Sequence, residues 1–206
     1  MHPLQLLGFI FWGGLALTVI QTLRHIRRFR TDEFGFSALS LIGWLSIFSF
    51  LAGFSIGAYL AVINIAIGLI VLLLNPPYRL HTMFVTLATL LLLASMRGAF
   101  PVAHLLLVLL LVGGLAFSFF QVIQFWVVRK SKQFSQACLQ ALTILFFLGL
   151  LLSNLAFIAV AFVLIGLVWG IISIMLAKHF RWQFAVLFLA TATWASVIAL
   201  QLFNGV

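Results

Sequence analysis

The first of two long apolar runs decides the fold, and it reads SALSLIGWLSIFSFLAGFSIGAYLAVINIAIGLIVLLL from Ser37 to Leu74. No charged residue interrupts this run. A membrane-spanning helix needs about 20 residues, so one straight helix of nearly 40 would be about twice as long as the hydrocarbon layer is thick. The run therefore predicts a hairpin of two membrane helices. We expect its turn near Gly53 to Gly57, where glycine can relieve the backbone.

A second run of similar length extends from Ala137 to Ala177, and its turn is expected near Ser153 and Asn154. Four shorter apolar runs complete the chain: Leu4 to Thr22, Thr82 to Met96, Val102 to Val128 and Phe184 to Phe203. Together these segments predict an all-α, polytopic transmembrane helical bundle with about eight helices.

The composition excludes a soluble globular domain. Of the 206 residues, 66% are hydrophobic and only 6% are charged, so the outer surface has to match lipid tails rather than water. Membrane lipids are therefore predicted partners. The segment from Met1 to Thr22 lacks a basic region before its apolar residues, so it predicts a first spanning helix rather than a cleaved signal peptide.

The formal net charge of +9 indicates topology and not nucleic-acid binding, because the basic residues form short clusters between the apolar runs. If both termini lie outside, ten of the eleven Lys and Arg residues fall on the cytoplasmic side and only Arg97 falls outside. We predict a bacterial cytoplasmic membrane as the location. The predicted cytoplasmic loops are Arg24 to Glu33, Asn75 to His81, Arg129 to Gln136 and Lys178 to Trp182.

An internal repeat is suggested by three blocks of matching residues that keep their order along the chain. In the first block, Gly13-Gly14-Leu15-Ala16 and Gln21 match Gly113-Gly114-Leu115-Ala116 and Gln121. In the second, Ala61-Val62 and Ile67-Gly68-Leu69 match Ala159-Val160 and Ile165-Gly166-Leu167. In the third, Tyr78-Arg79 and Leu87-Ala88-Thr89 match Phe180-Arg181 and Leu189-Ala190-Thr191. Chance matches are the alternative, since Leu, Ala and Gly dominate membrane helices. We predict two four-helix repeats, residues 1–98 and 102–206, in parallel orientation within one membrane domain.

The sequence offers no catalytic constellation. Asp32 and Glu33 are the only acidic residues and lie together in a predicted loop, which argues against carboxylate-coupled transport and most metal-dependent lipid enzymes. No GxSxG motif accompanies a histidine, and the five histidines lack metal-ligand spacing. The single cysteine, Cys138, excludes an internal disulfide. We therefore predict no catalytic residue, no cofactor and no metal site.

Polar side chains inside the predicted helices are the remaining candidates for a functional site. The candidate intramembrane polar contacts are Gln21, Asn64, Gln121, Gln124 and Gln140. An unsatisfied amide is costly in lipid, so each should face another helix or a wet cavity. Hydrogen bonds that fix helix packing are favoured over a substrate site. Of two GxxxG matches, only Gly166 to Gly170 is expected to pack helices, because Gly53 to Gly57 is assigned to a turn.

Three classes of function follow. A non-enzymatic structural or assembly subunit of a larger membrane complex, with protein partners in the membrane, is favoured because few polar residues could line a path. An uncoupled channel, permease or transporter, with its pathway for a small solute or lipid between the two four-helix halves, is the alternative. A membrane enzyme fits least well, because intramembrane carboxylates are missing.

Overall fold

A computed structural model of the chain describes residues 3–26, 32–52, 54–74, 78–96, 101–153 and 155–203. These residues form eight α-helices and contain no β-strand. The helices are α1 (Pro3–His25), α2 (Asp32–Leu51), α3 (Phe54–Leu74), α4 (Arg79–Met96), α5 (Pro101–Val127), α6 (Ser131–Leu151), α7 (Ala156–Leu176) and α8 (Arg181–Phe203). The predicted all-α fold is confirmed.

Within the described residues, seven helices, α2 to α8, are long and apolar enough to cross a membrane. Their number and length identify an integral, multi-pass membrane protein. Helix α1 is 23 residues long but ends in polar and basic residues, and it is not among the seven spans. An eighth crossing by α1 stays a prediction.

Both long apolar runs fold back as hairpins. Helix α6 ends at Leu151 and α7 begins at Ala156, which confirms the turn expected near Ser153. Helix α2 ends at Leu51 and α3 begins at Phe54, so the first break is shorter than expected. Gly53 and Asn154 lie outside the described residues.

The assignment of Gly57 to the first turn is wrong, because Gly57 lies inside α3. A Cβ atom at this position would overlap the backbone oxygen of Ser49 and lie 2.9 Å from Cε of Met96. Gly57 therefore permits close contact between α2 and α3, and the turn does not need it. The role in close helix packing that was predicted only for Gly166 to Gly170 therefore applies to Gly57 as well.

The chain divides into two compact units, one of residues Phe11–Leu110 and one of residues Leu111–Val206 together with Met1–Ile10. In the first unit α2, α3 and α4 pack against one another, and in the second unit α6, α7 and α8 do the same. This recurrence of a three-helix arrangement is what a tandem repeat would produce. Superposition of residues 1–98 on 102–206 stays a prediction.

Helices α2 and α6 are the inner helices. The buried share of residues is 83% for α6 and 61% for α2, whereas it lies between 22 and 39% for the other five spans. The outer helices expose large apolar side chains such as Leu73, Phe157 and Met175. Such surfaces are suited to lipid tails. Polar side chains of the outer helices are therefore expected to find their partners on the inner helix of the unit.

Candidate functional site

Asn64 occupies the centre of the first unit and is the most buried of the predicted polar residues, with 0% of its side chain exposed. Its Nδ2 atom lies 3.1 Å from the backbone oxygen of Ile42 and 2.8 Å from Oγ of Ser46, both on α2. It also lies 3.2 Å from Oγ1 of Thr89 on α4. One amide therefore connects α2, α3 and α4. We call Asn64, Ser46 and Thr89 the Asn64 cluster.

The hairpin explains why these residues meet. Ile42 precedes the turn between α2 and α3 at nearly the same distance as Asn64 follows it, so an antiparallel helix pair brings them opposite each other. Ser46 lies one helical turn after Ile42 and therefore on the same face of α2. Close contact at Gly57 and at Gly68, where a Cβ atom would overlap Oγ1 of Thr86, allows α3 to approach α2 and α4.

A count of hydrogens shows how the hydrogen-bond donors of the cluster are used. Oγ of Ser46 lies 2.7 Å from Oγ1 of Thr89 and 3.0 Å from the oxygen of Ile42, and Oγ1 of Thr89 lies 2.8 Å from the oxygen of Val85. If Ser46 donates to Thr89 and Thr89 donates to Val85, the two amide hydrogens remain for Ile42 and Ser46. Every donor of the cluster is then used.

The opposite amide orientation would place the Asn64 oxygen against the carbonyl oxygen of Ile42, which cannot donate, so the network fixes the orientation. In the observed orientation, Oδ1 of Asn64 is buried and has no hydrogen-bond partner among the described residues. The cluster can thus hold three helices together and accept one further hydrogen bond. It contains no ionisable group that could transfer a proton.

Helix α1 reaches α2 through aromatic rings. The ring centroids of Phe11 and Trp44 are 5.1 Å apart, and those of Trp12 and Phe48 are 4.6 Å apart, both in edge-to-face geometry. A Cβ atom at Gly14 would lie 2.7 Å from the Trp44 ring. The glycine therefore leaves space for the indole ring, and aromatic contacts join α1 to α2 in the first unit.

The second unit has a different interior. The largest of its fully buried side chains are apolar and belong mainly to α6, and they are Leu142, Leu145, Phe146, Leu148, Leu150, Val163 and Phe184. The repeat alignment that pairs Ile67 with Ile165 places Phe162 at the position of Asn64. The polar cluster therefore has no asparagine counterpart in the second unit.

Two tryptophans donate side-chain hydrogen bonds to the inner helix of this unit. Nε1 of Trp169 on α7 donates to the backbone oxygen of Cys138 at 3.1 Å, and Nε1 of Trp194 on α8 donates to that of Gly149 at 3.2 Å. Both acceptors belong to α6. Sequence reasoning missed these contacts, although an indole N–H in an apolar segment signals the need for a partner.

The other sequence-predicted residues are more peripheral. Gln21, Gln121 and Gln140 are half-buried and Gln124 is exposed. The hydrogen bonds described for Asn64 involve no glutamine. The structure therefore places one of the five predicted residues, Asn64, in a buried network. The predicted packing at Gly166 and Gly170 is seen, since Cβ atoms there would lie 3.4 Å from Thr191 and 2.8 Å from Phe188 on α8.

Metal-binding residues are not clustered in the part of the chain that the structure describes, where no group of three or more His, Cys, Asp or Glu residues could hold an ion. The side chains of Asp32 and Glu33 lie outside the described residues. The fold and the Asn64 cluster thus define a multi-pass helical membrane protein with a neutral buried polar site. No known protein family, curated protein or solved structure matches this chain.

Proposed function

We propose that the protein is a non-enzymatic subunit that packs within a larger membrane complex and supports its structure or assembly. The observation that carries this proposal is that the hydrogen-bond donors of the Asn64 cluster are used within its own three helices. The two amide hydrogens of Asn64 are used within the unit, and the side chain is 0% exposed. A transport site at this position would need polar atoms that a solute can reach.

The second unit supports the same proposal. Its inner helix α6 is 83% buried and is surrounded by apolar side chains, so its interior is filled by packing. The indole groups of Trp169 and Trp194 are used to attach α7 and α8 to α6. Catalysis by acids, bases or metal ions is not favoured, because Asp32 and Glu33 are the only side-chain carboxylates in the sequence.

In this proposal the partner proteins contact exposed apolar surfaces of the outer helices. Phe157 is 91% exposed and Met175 is 78% exposed, and both lie on α7. Lipid or another helix can cover such a surface equally well, because lipid tails are as apolar as leucine and helix association in membranes depends on packing. The large exposed apolar side chains of this one outer helix suit a packed contact with a neighbouring subunit.

For orientation, we propose that both termini lie outside and the basic loops face the cytoplasm. The distribution of Lys and Arg supports this orientation. Cysteines introduced by Arg30→Cys and Lys130→Cys should be labelled from the same side of the membrane, and labelling from opposite sides would contradict the arrangement.

The alternative function is an uncoupled channel, permease or transporter. It is favoured by the half-buried state of Gln21 and Gln121, which occupy equivalent positions of the predicted repeat. Polar side chains that are neither fully buried nor fully exposed can line a pathway. The two functions therefore differ in what these glutamines do.

Gln21→Leu and Gln121→Leu, made individually, test the two functions. On the subunit proposal each change should lower the free energy of unfolding by about 1 kcal/mol or less, the typical contribution of one interhelical hydrogen bond. Solute flux into liposomes that contain only this protein should be no higher than into empty liposomes. If the wild-type protein produces a flux and either substitution abolishes it while the variant stays folded, the transporter is the correct function.

A further inference from the structure

Two loops at one end of the second unit carry a concentration of positive charge. The first precedes α6 and the second precedes α8, and Oγ of Ser131 lies 3.4 Å from Nε2 of His179, so the loops are side by side. We call the six basic residues in these loops and in the first turns of α6 and α8 the basic loop pair, and they are Arg129, Lys130, Lys132, Lys178, His179 and Arg181.

The basic loop pair has no acidic counter-charge in its own unit. The chain contains two acidic residues, Asp32 and Glu33, and both belong to the other unit. Lys132 is half-buried and the other five residues of the pair are exposed. Several like charges held close together repel one another unless an anion neutralises them.

The backbone of the loops adds to this preference for an anion. Helix α6 begins after Lys130, which makes no side-chain cap hydrogen bond, and α8 begins after Phe180, whose side chain cannot accept one. The first N–H groups of a helix carry partial positive charge and favour anions. The loops are also held in place, because the amide of Lys130 donates to Phe125 at 3.0 Å and that of Ala177 donates to Ser173 at 2.8 Å.

The position of the loops relative to the spans points to a lipid. The candidate membrane spans of α6 and α8 begin at Ser131 and Arg181, so we expect the basic side chains at the level where hydrocarbon gives way to headgroups. Trp126, which is 58% exposed near the end of α5, lies beside the first loop, and tryptophan is typical of this level of a bilayer. The phosphates of the surrounding lipids are therefore the nearest abundant anions.

We propose that the basic loop pair is a binding site for the phosphate-containing headgroup of an anionic phospholipid. Lys and Arg side chains surround the phosphate, and the first turns of α6 and α8 contribute backbone donors. The acyl chains lie along the exposed apolar surface of the neighbouring spans. This site is independent of the function proposed above.

The test compares lipids with the same tails and different headgroups. Purified full-length protein in mild detergent is titrated with phosphatidylglycerol, with phosphatidylcholine and with inorganic phosphate, and bound lipid is counted by native mass spectrometry. The site variant combines Lys130→Gln and Lys178→Gln. The matched control combines Arg24→Gln and Arg79→Gln, which removes the same charge from the other unit.

We expect phosphatidylglycerol to bind the wild-type protein at least tenfold more tightly than phosphatidylcholine does. The site variant should lose about 25-fold in affinity, since each of the two basic residues near an anionic surface contributes about fivefold. The control should stay within about threefold of wild type, because its charges lie outside the site. Equal affinities for the two lipids, or equal losses in the two variants, would overturn the proposal.

The inorganic phosphate arm distinguishes a lipid site from a site for a free anion. Millimolar phosphate should leave bound phosphatidylglycerol in place, because the lipid also holds the protein through its acyl chains. Displacement of the lipid by phosphate, at an ionic strength matched with chloride, would show a small-anion site and would overturn the lipid assignment. This measurement uses the wild-type protein and does not depend on the folding of any variant.

Discussion

Gly57→Ala is expected to lower the free energy of unfolding by about 2 kcal/mol. The added Cβ would overlap the backbone oxygen of Ser49 and approach Met96. A backbone oxygen cannot rotate away as a side chain can, so α2 and α3 must separate. Overpacking costs about 1–3 kcal/mol, and overlap with a backbone atom places this substitution at the upper end of that range. The better helix propensity of alanine offsets about 1 kcal/mol, which leaves about 2 kcal/mol.

Gly43→Ala is the matched control for this prediction. Gly43 lies in α2, and a Cβ atom there would meet nothing within 4 Å. The control should be neutral or slightly stabilising, because alanine favours the helix. Unfolding of both variants in the same detergent, followed by circular dichroism, measures the difference. Equal stability of the two variants would show that α2 and α3 are not in close contact at Gly57.

Asn64→Leu is expected to lower the free energy of unfolding by about 2 kcal/mol. Leucine has the same branching and the same number of heavy side-chain atoms as asparagine, but it lacks the two hydrogens that reach Ile42 and Ser46. Each lost hydrogen bond contributes about 0.5–1.5 kcal/mol, so the loss of both gives about 2 kcal/mol. The change affects contacts among α2, α3 and α4 together.

Gln124→Leu on α5 provides the comparison, since Gln124 is exposed and its amide can be replaced at little cost. We expect a change of less than about 0.5 kcal/mol for this control. Denaturant titration in mixed micelles gives both values. If Asn64→Leu proves as stable as the control or more stable, the Asn64 cluster does not hold the helices of the first unit together.

Most of the fold could be predicted from the apolar runs, since run length and bilayer thickness together require hairpins. Gly57 was misplaced because glycine serves both tight turns and close helix contacts. The sequence alone does not distinguish these uses until the ends of α2 and α3 are known. Gly166 and Gly170 were assigned correctly because they lie far from any turn signal.

The candidate site could be predicted only in part. Asn64 was recognised as needing a partner, but Ser46 and Thr89 were not identified, because they lie 18 and 25 residues away in sequence. Their hydroxyls also bond to their own helices, which is common for serine and threonine and gives no separate signal. The contacts of Trp169 and Trp194 with α6 were missed for a related reason, since any exposed carbonyl of a neighbouring helix can accept from an indole.

Purification from the native membrane, at native expression level and in mild detergent, tests the proposed subunit function most directly when quantitative mass spectrometry follows. The subunit function predicts that the chain is recovered with at least one other integral membrane protein in a fixed stoichiometric ratio. It also predicts that this ratio is kept through size-exclusion chromatography. Recovery of the chain alone as a single homogeneous species, with solute flux in liposomes that contain only this protein, would contradict the account.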